Sequence, residues 1–88
     1  MKMILAIIRD HDNEPVSNAL INSGFRVTRI ASSGGFLRRG SSTLMIGVAE
    51  EKVDQAIQII RDTTTITEDA GLKRATLFVL DVKEFNQI

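Results

Sequence analysis

Three runs in this 88-residue chain are apolar at both parities, and that pattern constrains the fold more than any other feature. In Met3 to Ile8, the set Met3, Leu5 and Ile7 alternates with Ile4, Ala6 and Ile8. Thr43 to Val48 has the same character, and so does Ala75 to Val82, where Leu77 and Val79 oppose Phe78, Leu80 and Val82. Successive side chains of a strand point to opposite faces, so a run that is apolar at both parities reads as a strand covered on both sides. Phe25 to Ser32 is different. It puts Phe25, Val27 and Arg29 on one side and Arg26, Thr28 and Ile30 on the other.

Two stretches between these runs have helical spacing. After Asp10, His11, Asp12 and Asn13, either Asp12 or Asn13 is placed to cap a helix, and Pro15 suits its first turn. Val16, Ala19 and Leu20 then recur on one face with Ile21 beside them, and Gly24 is placed to close the helix in the left-handed conformation. Glu50 and Glu51 fit the first turn of a second helix, in which Val53, Ala56, Ile57 and Ile60 recur at i, i+3, i+4 and i+7. It is expected to end near Arg61 to Thr63, before an irregular stretch from Thr64 to Arg74 that contains Gly71. The order strand, helix, strand, strand, helix, strand predicts an α+β, ferredoxin-like βαββαβ domain over residues 1–88, an antiparallel sheet with both helices on one face. Helices then cover only one side of strands that are apolar on two. The economical cover for the other side is a further copy of the chain, so a homo-oligomer is expected.

Composition narrows the function. There is no cysteine and a single histidine, His11, which excludes a disulfide framework and a His/Cys metal site. The N-terminal apolar run is short, ends in charge and lacks a cleavage signal, so a cytoplasmic chain that neither enters nor spans a membrane is expected. Zero formal net charge argues against a nucleic-acid polymer as partner. The distribution of charge says more. No acidic residue falls between Glu14 and Glu50, whereas Arg26, Arg29, Arg38 and Arg39 all do. A basic middle in a neutral chain suits one anionic ligand; that each arginine snorkels or pairs locally with a carboxylate from elsewhere in the fold is an equal alternative.

Within that middle lies Ser32-Ser33-Gly34-Gly35-Phe36-Leu37-Arg38-Arg39-Gly40-Ser41-Ser42. Glycine-rich backbone turns amides toward an anion, hydroxyls add donors, and guanidinium groups fork onto phosphate oxygens. A flexible hairpin loop has the same composition. The stretch is no P-loop, lacking the lysine and following Ser or Thr, and no dinucleotide fingerprint, because a strand follows it. Its serines have no assignable base, and Asp10, His11 and Asp12, adjacent on a turn, read as helix capping rather than as an acid/base or metal cluster. No enzyme activity and no cofactor are expected. An RNA-binding module of this topology carries stacking aromatics on its central strands, and here those strands carry none. Phe25 and Phe85 read as core, as does Phe78 taken alone on its apolar strand, whereas Phe36 reads as exposed or ligand-facing.

Lys2 to Ile8, Gly24-Phe25-Arg26-Val27-Thr28, Gly34 to Gly40, Thr43 with Gly47-Val48, Ala75 to Leu80 and Phe85-Asn86-Gln87 together resemble the P-II-like cyclic-di-AMP receptor family of Gram-positive bacteria. The resemblance runs colinearly over the first sixty or so residues and resumes in the last strand and tail; Phe25 to Gly47 is its most specific part. It implies a homotrimer whose sheets face a common centre, with one cyclic dinucleotide held between each pair of neighbouring subunits. By position it implies Arg26 and Thr28 near phosphate and ribose, and Gly35, Phe36 and Leu37 cradling an adenine. Gly47 would allow close backbone approach, and Phe78 and Gln87 would complete the pocket. Gly24 and Ser41 stand where the family often has asparagine, and Ser41 is retained as a candidate contact. The long Gly- and Pro-rich loop of the family pattern is reduced here to Thr64 to Arg74. The implied function is non-catalytic signalling, sensing cyclic-di-AMP or a related adenine nucleotide and relaying it to an unidentified downstream protein through loop ordering. The alternatives are a trimeric interaction scaffold without ligand and an amino-acid-binding regulatory module of the same topology.

Overall fold

The computed structural model describes residues 1–32, 40–66 and 73–88. Strand β1 (Lys2–Arg9) leads through a 3-10 turn (Asp10–Asp12) into helix α1 (Asn13–Asn22). Strands β2 (Arg26–Ser32) and β3 (Ser41–Val48) follow. A second 3-10 turn (Glu50–Lys52), helix α2 (Val53–Thr63) and strand β4 (Ala75–Asp81) complete the order. The sheet order is β2-β3-β1-β4, and β1 pairs antiparallel with both β3 and β4, as β2 does with β3. This is the expected α+β arrangement of a four-stranded antiparallel sheet and two helices, consistent with a ferredoxin-like fold.

The core lies on one face of that sheet. Ile4, Ala6 and Ile8 of β1 and Leu44, Ile46 and Val48 of β3 pack against Val16 and Leu20 of α1 and Ala56 and Ile60 of α2. Phe25, Val27, Ala75 and Leu77 extend the same cluster. Each fully buried Val, Leu or Ile contributes about 1.5–3 kcal/mol relative to exposure. Both helices bury the faces their spacing assigns, while Asp54, Gln55, Gln58, Arg61 and Asp62 of α2 stay exposed.

Helix α1 stops where glycine permits it. Gly24 has φ +91°, its N–H donates to the Ile21 carbonyl at 3.0 Å, and the Phe25 N–H donates to that of Leu20 at 3.0 Å. The starts differ from expectation. Glu50 and Glu51 lie in a 3-10 turn ahead of α2, and neither the Asp12 nor the Lys52 side chain caps the helix behind it. Asp12 is instead drawn inward, to partners described below.

The other face of the sheet is laid out by register. Arg26, Gly47, Met3 and Leu80 form one row across it; Thr28, Met45, Leu5 and Phe78 form the next; Thr43, Ile7 and Thr76 follow. A bulge between Arg29 and Ala31 interrupts β2 beyond the second row. Phe78 is 50% exposed and Leu80 41%, and Ile7 is exposed beside them. This face is therefore apolar and uncovered in one copy of the chain.

At the sheet margin Lys2 donates to Asp81 and lies 3.7 Å from Glu50. The Lys2 hydrogen bond holds the Asp81 carboxyl below its usual pKa, and the same bond raises the Lys2 ammonium above its own. A depressed carboxylate stabilises the fold above its unfolded pKa and loses that contribution as pH falls through the folded value. A raised ammonium contributes below its unfolded pKa and loses the effect as pH rises through the folded one. Because both groups are solvent-accessible, Asp81→Asn is expected to lower Tm only slightly at pH 7 and low salt, with the difference vanishing in high salt and at acid pH. Melts across a salt and pH series check this. Among the described residues no helix is long and apolar enough to cross a membrane.

Candidate functional site

Strand alternation sends Arg26 and Thr28 away from the core because Phe25 and Val27 are packed into it. Both therefore project over the uncovered face. There they line a hollow of about 270 Å³ with Met45 and Gly47 of β3, Met1 and Met3 at the N-terminus, and Val82 and Phe85 beyond β4. The hollow has a polar edge on β2, and the rest of its wall is apolar. All three methionines of the chain line it, and their unbranched thioethers adapt to the shape of what they touch. The Val82 N–H donates to the Met1 carbonyl at 3.1 Å, which fixes the start of the tail that carries Phe85.

Arg26 has no ion-pair partner among the described residues, and neither does Arg29. Local pairing, one of the alternatives to a ligand role for these arginines, is thus absent there, and Arg26 offers its guanidinium to the hollow. Gly47 lies directly opposite Arg26 in the ladder. A β-carbon at Gly47 would come within 3.0 Å of the Met1 terminal methyl, so the close approach to this glycine is made by Met1 itself. That methyl can swing aside. Gly47→Val is accordingly expected to fold with little loss of stability while filling the floor of the hollow, lowering ligand affinity by about tenfold or more for a displacement of at least 1.4 kcal/mol. Paired thermal melts and ligand titrations check the separation.

The remaining expected residues distribute unevenly. Gly35, Phe36 and Leu37 lie outside the described residues. Ser41 opens β3 opposite Arg9, at the far end of the strand from Gly47. Phe78 shares the open face, but it is three strands from Thr28, about 14 Å at the usual strand spacing. Gln87 is exposed in the tail. Phe85 corrects the core assignment: it is 59% exposed and walls the hollow. Val82, Met1, Met3 and Met45 were not expected either, although the placement of every methionine on one parity of β1 and β3 or at their ends was a readable signal.

A larger hollow of about 490 Å³ lies between α2 and β4 and includes Arg61, Lys73 and Arg74 in its lining. It contains none of the expected ligand contacts. Among the described residues no group of His, Cys, Asp and Glu is arranged to hold a metal ion.

A family model described as cyclic-di-AMP receptor matches residues 1–70. The chain belongs to the cyclic-di-AMP receptor family. The match takes in β1 to β3 and α2, and so includes Arg26, Thr28, Met45 and Gly47 of the hollow. Among solved structures this receptor-family chain is similar to a functionally unknown protein from Pediococcus pentosaceus ATCC 25745, at 30% sequence identity and a TM-score of 0.79, covering 99% of this chain and 96% of that one. That likeness extends through β4 and the tail, beyond the part the receptor model matches.

Proposed function

We propose that this protein is a non-catalytic receptor that binds cyclic-di-AMP between the subunits of a homotrimer. Family membership supports the ligand class, and the hollow at Arg26, Thr28 and Gly47 is the single observation that supports its location. Arg26 suits a phosphate, which a planar guanidinium grips with two parallel hydrogen bonds. Thr28, two residues along on the same face, supplies a hydroxyl for a ribose or phosphate oxygen. The methionines and Phe85 offer an apolar wall to an adenine ring, with Gly35, Phe36, Leu37 and Ser41 assigned to the same ligand by the family pattern.

The interface follows from size and reach. At about 270 Å³ the hollow is smaller than the ~300–1,000 Å³ of ordinary ligand pockets, so one copy holds part of a dinucleotide. Phe78 stands about 14 Å from Thr28 across its own sheet, which favours its reaching a ligand from the neighbouring subunit's side; Gln87 is assigned to the ligand by the family pattern. The apolar rows through Met3, Leu5 and Ile7 are the surface that trimer formation buries.

Thermal shift with cyclic-di-AMP, ATP, ADP and AMP tests the ligand. At about 100 times its dissociation constant a ligand stabilises the native state by about 2.7 kcal/mol, and cyclic-di-AMP is expected to give the largest shift and to be recovered unchanged. A shift with another nucleotide alone would transfer the role to that ligand. No shift with any of them would leave an interaction scaffold.

A further inference from the structure

The buried polar side chains among the described residues are Asp12, Ser42 and Thr64, exposed by 1%, 0% and 5%. Ser42 and Asp12 are joined by one corner, the 3-10 turn after β1, and Thr64 adjoins the residue that Asp12 holds. Ser42 Oγ donates to Asp10 Oδ1 at 2.6 Å, and the Asp10 N–H donates to the Gly40 carbonyl at 3.4 Å. Thr65 donates to Asp12 Oδ1 twice, from its backbone N–H at 3.1 Å and its hydroxyl at 2.6 Å, while Arg9 donates to the Thr65 carbonyl. The chain therefore returns to a single turn at two places: where β3 begins, just after segment 33–39, and where α2 has ended, just before segment 67–72.

Asp10 and Asp12 are held on one short turn. The Asn13 N–H closes the turn onto the Asp10 carbonyl, so the backbone that carries both carboxylates moves as one short turn. The corner also retains a second possible pairing. Arg9 Nε and Asp12 Oδ2 are both buried without a hydrogen-bond partner, and Arg9 Nη2 stands 3.5 Å from Asp12 Oδ2. A guanidinium that released the Thr65 carbonyl has a complementary carboxylate oxygen beside it, on which a two-bond fork would satisfy both orphaned atoms. We infer that the Arg9–Asp12 turn is a coupling element, in which Asp10 and Asp12 act as positioning residues so that fixation of the chain at Gly40 and Ser42 governs its fixation at Thr65, and the reverse. Its use in signalling rests on the proposed ligand reading, since the family pattern assigns the ligand to Gly35–Leu37 and Ser41. The coupling itself does not.

Residue-resolved amide hydrogen exchange on the full chain tests it. Without ligand, Ser42→Ala is expected to speed exchange of the Thr65 amide by about tenfold, equal to about 1.4 kcal/mol, relative to core amides such as Ile46. Thr65→Val, an exposed substitution that leaves the backbone donor in place, is expected to speed exchange of the Asp10 amide reciprocally. Leu44→Val, which weakens β3 without touching the corner, serves as control and should leave the ratio of Thr65 to core exchange unchanged. Should Ser42→Ala fail to fold, Thr65→Val decides alone. Effects confined to each substitution's own end of the turn overturn the coupling. Cyclic-di-AMP added to the unsubstituted chain should slow exchange at Thr65, and in Ser42→Ala it should not. Binding with no change at Thr65 overturns the signalling role, whereas absence of binding counts against the proposed ligand and leaves the ligand-free result to decide the coupling.

Discussion

Arg26→Ala is expected to weaken cyclic-di-AMP binding by about 10- to 150-fold, the equivalent of the 1.5–3 kcal/mol that hydrogen bonds to charged groups contribute. Arg26 is exposed on β2 with its backbone held in the ladder opposite Gly47, and it has no ion-pair partner among the described residues. Its loss leaves no buried acid stranded and removes nothing from the core. Stability and subunit assembly should therefore be unchanged, which separates a ligand contact from a structural arginine. Arg26→Lys should recover part of the affinity only, because an ammonium supplies the charge without the planar fork. Titration calorimetry with sedimentation of both variants checks the pair of claims. Normal binding by Arg26→Ala would make the residue structural and remove the phosphate site from β2.

Asp12→Ala is the substitution expected to cost most in stability. It strips the acceptor from the Thr65 N–H and hydroxyl and leaves Arg9, whose side chain is only 15% exposed, beside an empty site. Removing one member of a buried ion pair costs about 3–5 kcal/mol. For a chain of this size, whose total stability is of order 5–15 kcal/mol, that predicts a fall in Tm of more than about 10 °C. Asp12→Asn retains an oxygen for Thr65 and loses only the charge opposite Arg9, so a smaller loss is expected. Urea titration should show a lower midpoint at unchanged slope. A midpoint for Asp12→Ala within experimental error of the unsubstituted chain would show that the corner contributes nothing to the fold.

How much of this could be read from the chain depends on the range of the interactions involved. The three doubly apolar strands and the two helical spacings are local patterns. They led to the element order, to burial of Val16, Leu20, Ala56 and Ile60, and to a sheet with an uncovered apolar face. Arg26 and Thr28 were equally legible, because Phe25 and Val27 next to them had to face the core. Asp12 was not. A carboxylate just ahead of a helix reads as a cap, and nothing near it in the sequence announces Thr65, fifty-three residues on. Phe85 failed for a related reason. An aromatic in a polar tail reads as an anchor dropped into the core, whereas the Val82 bond to Met1 holds the tail along the uncovered face, where the ring becomes part of a wall. Phe78 and Gln87 were placed by family pattern alone, and the width of the sheet separates Phe78 from Thr28.

The central claim is that ligand sits between subunits, and stoichiometry measured on an assembly of known mass addresses it most directly. Titration calorimetry with cyclic-di-AMP, on protein whose mass is fixed by light scattering at the same concentration, is expected to give one ligand per protomer on a particle of three protomers. A monomeric particle that binds the dinucleotide at the same stoichiometry, or a trimer that takes up none, would contradict the account.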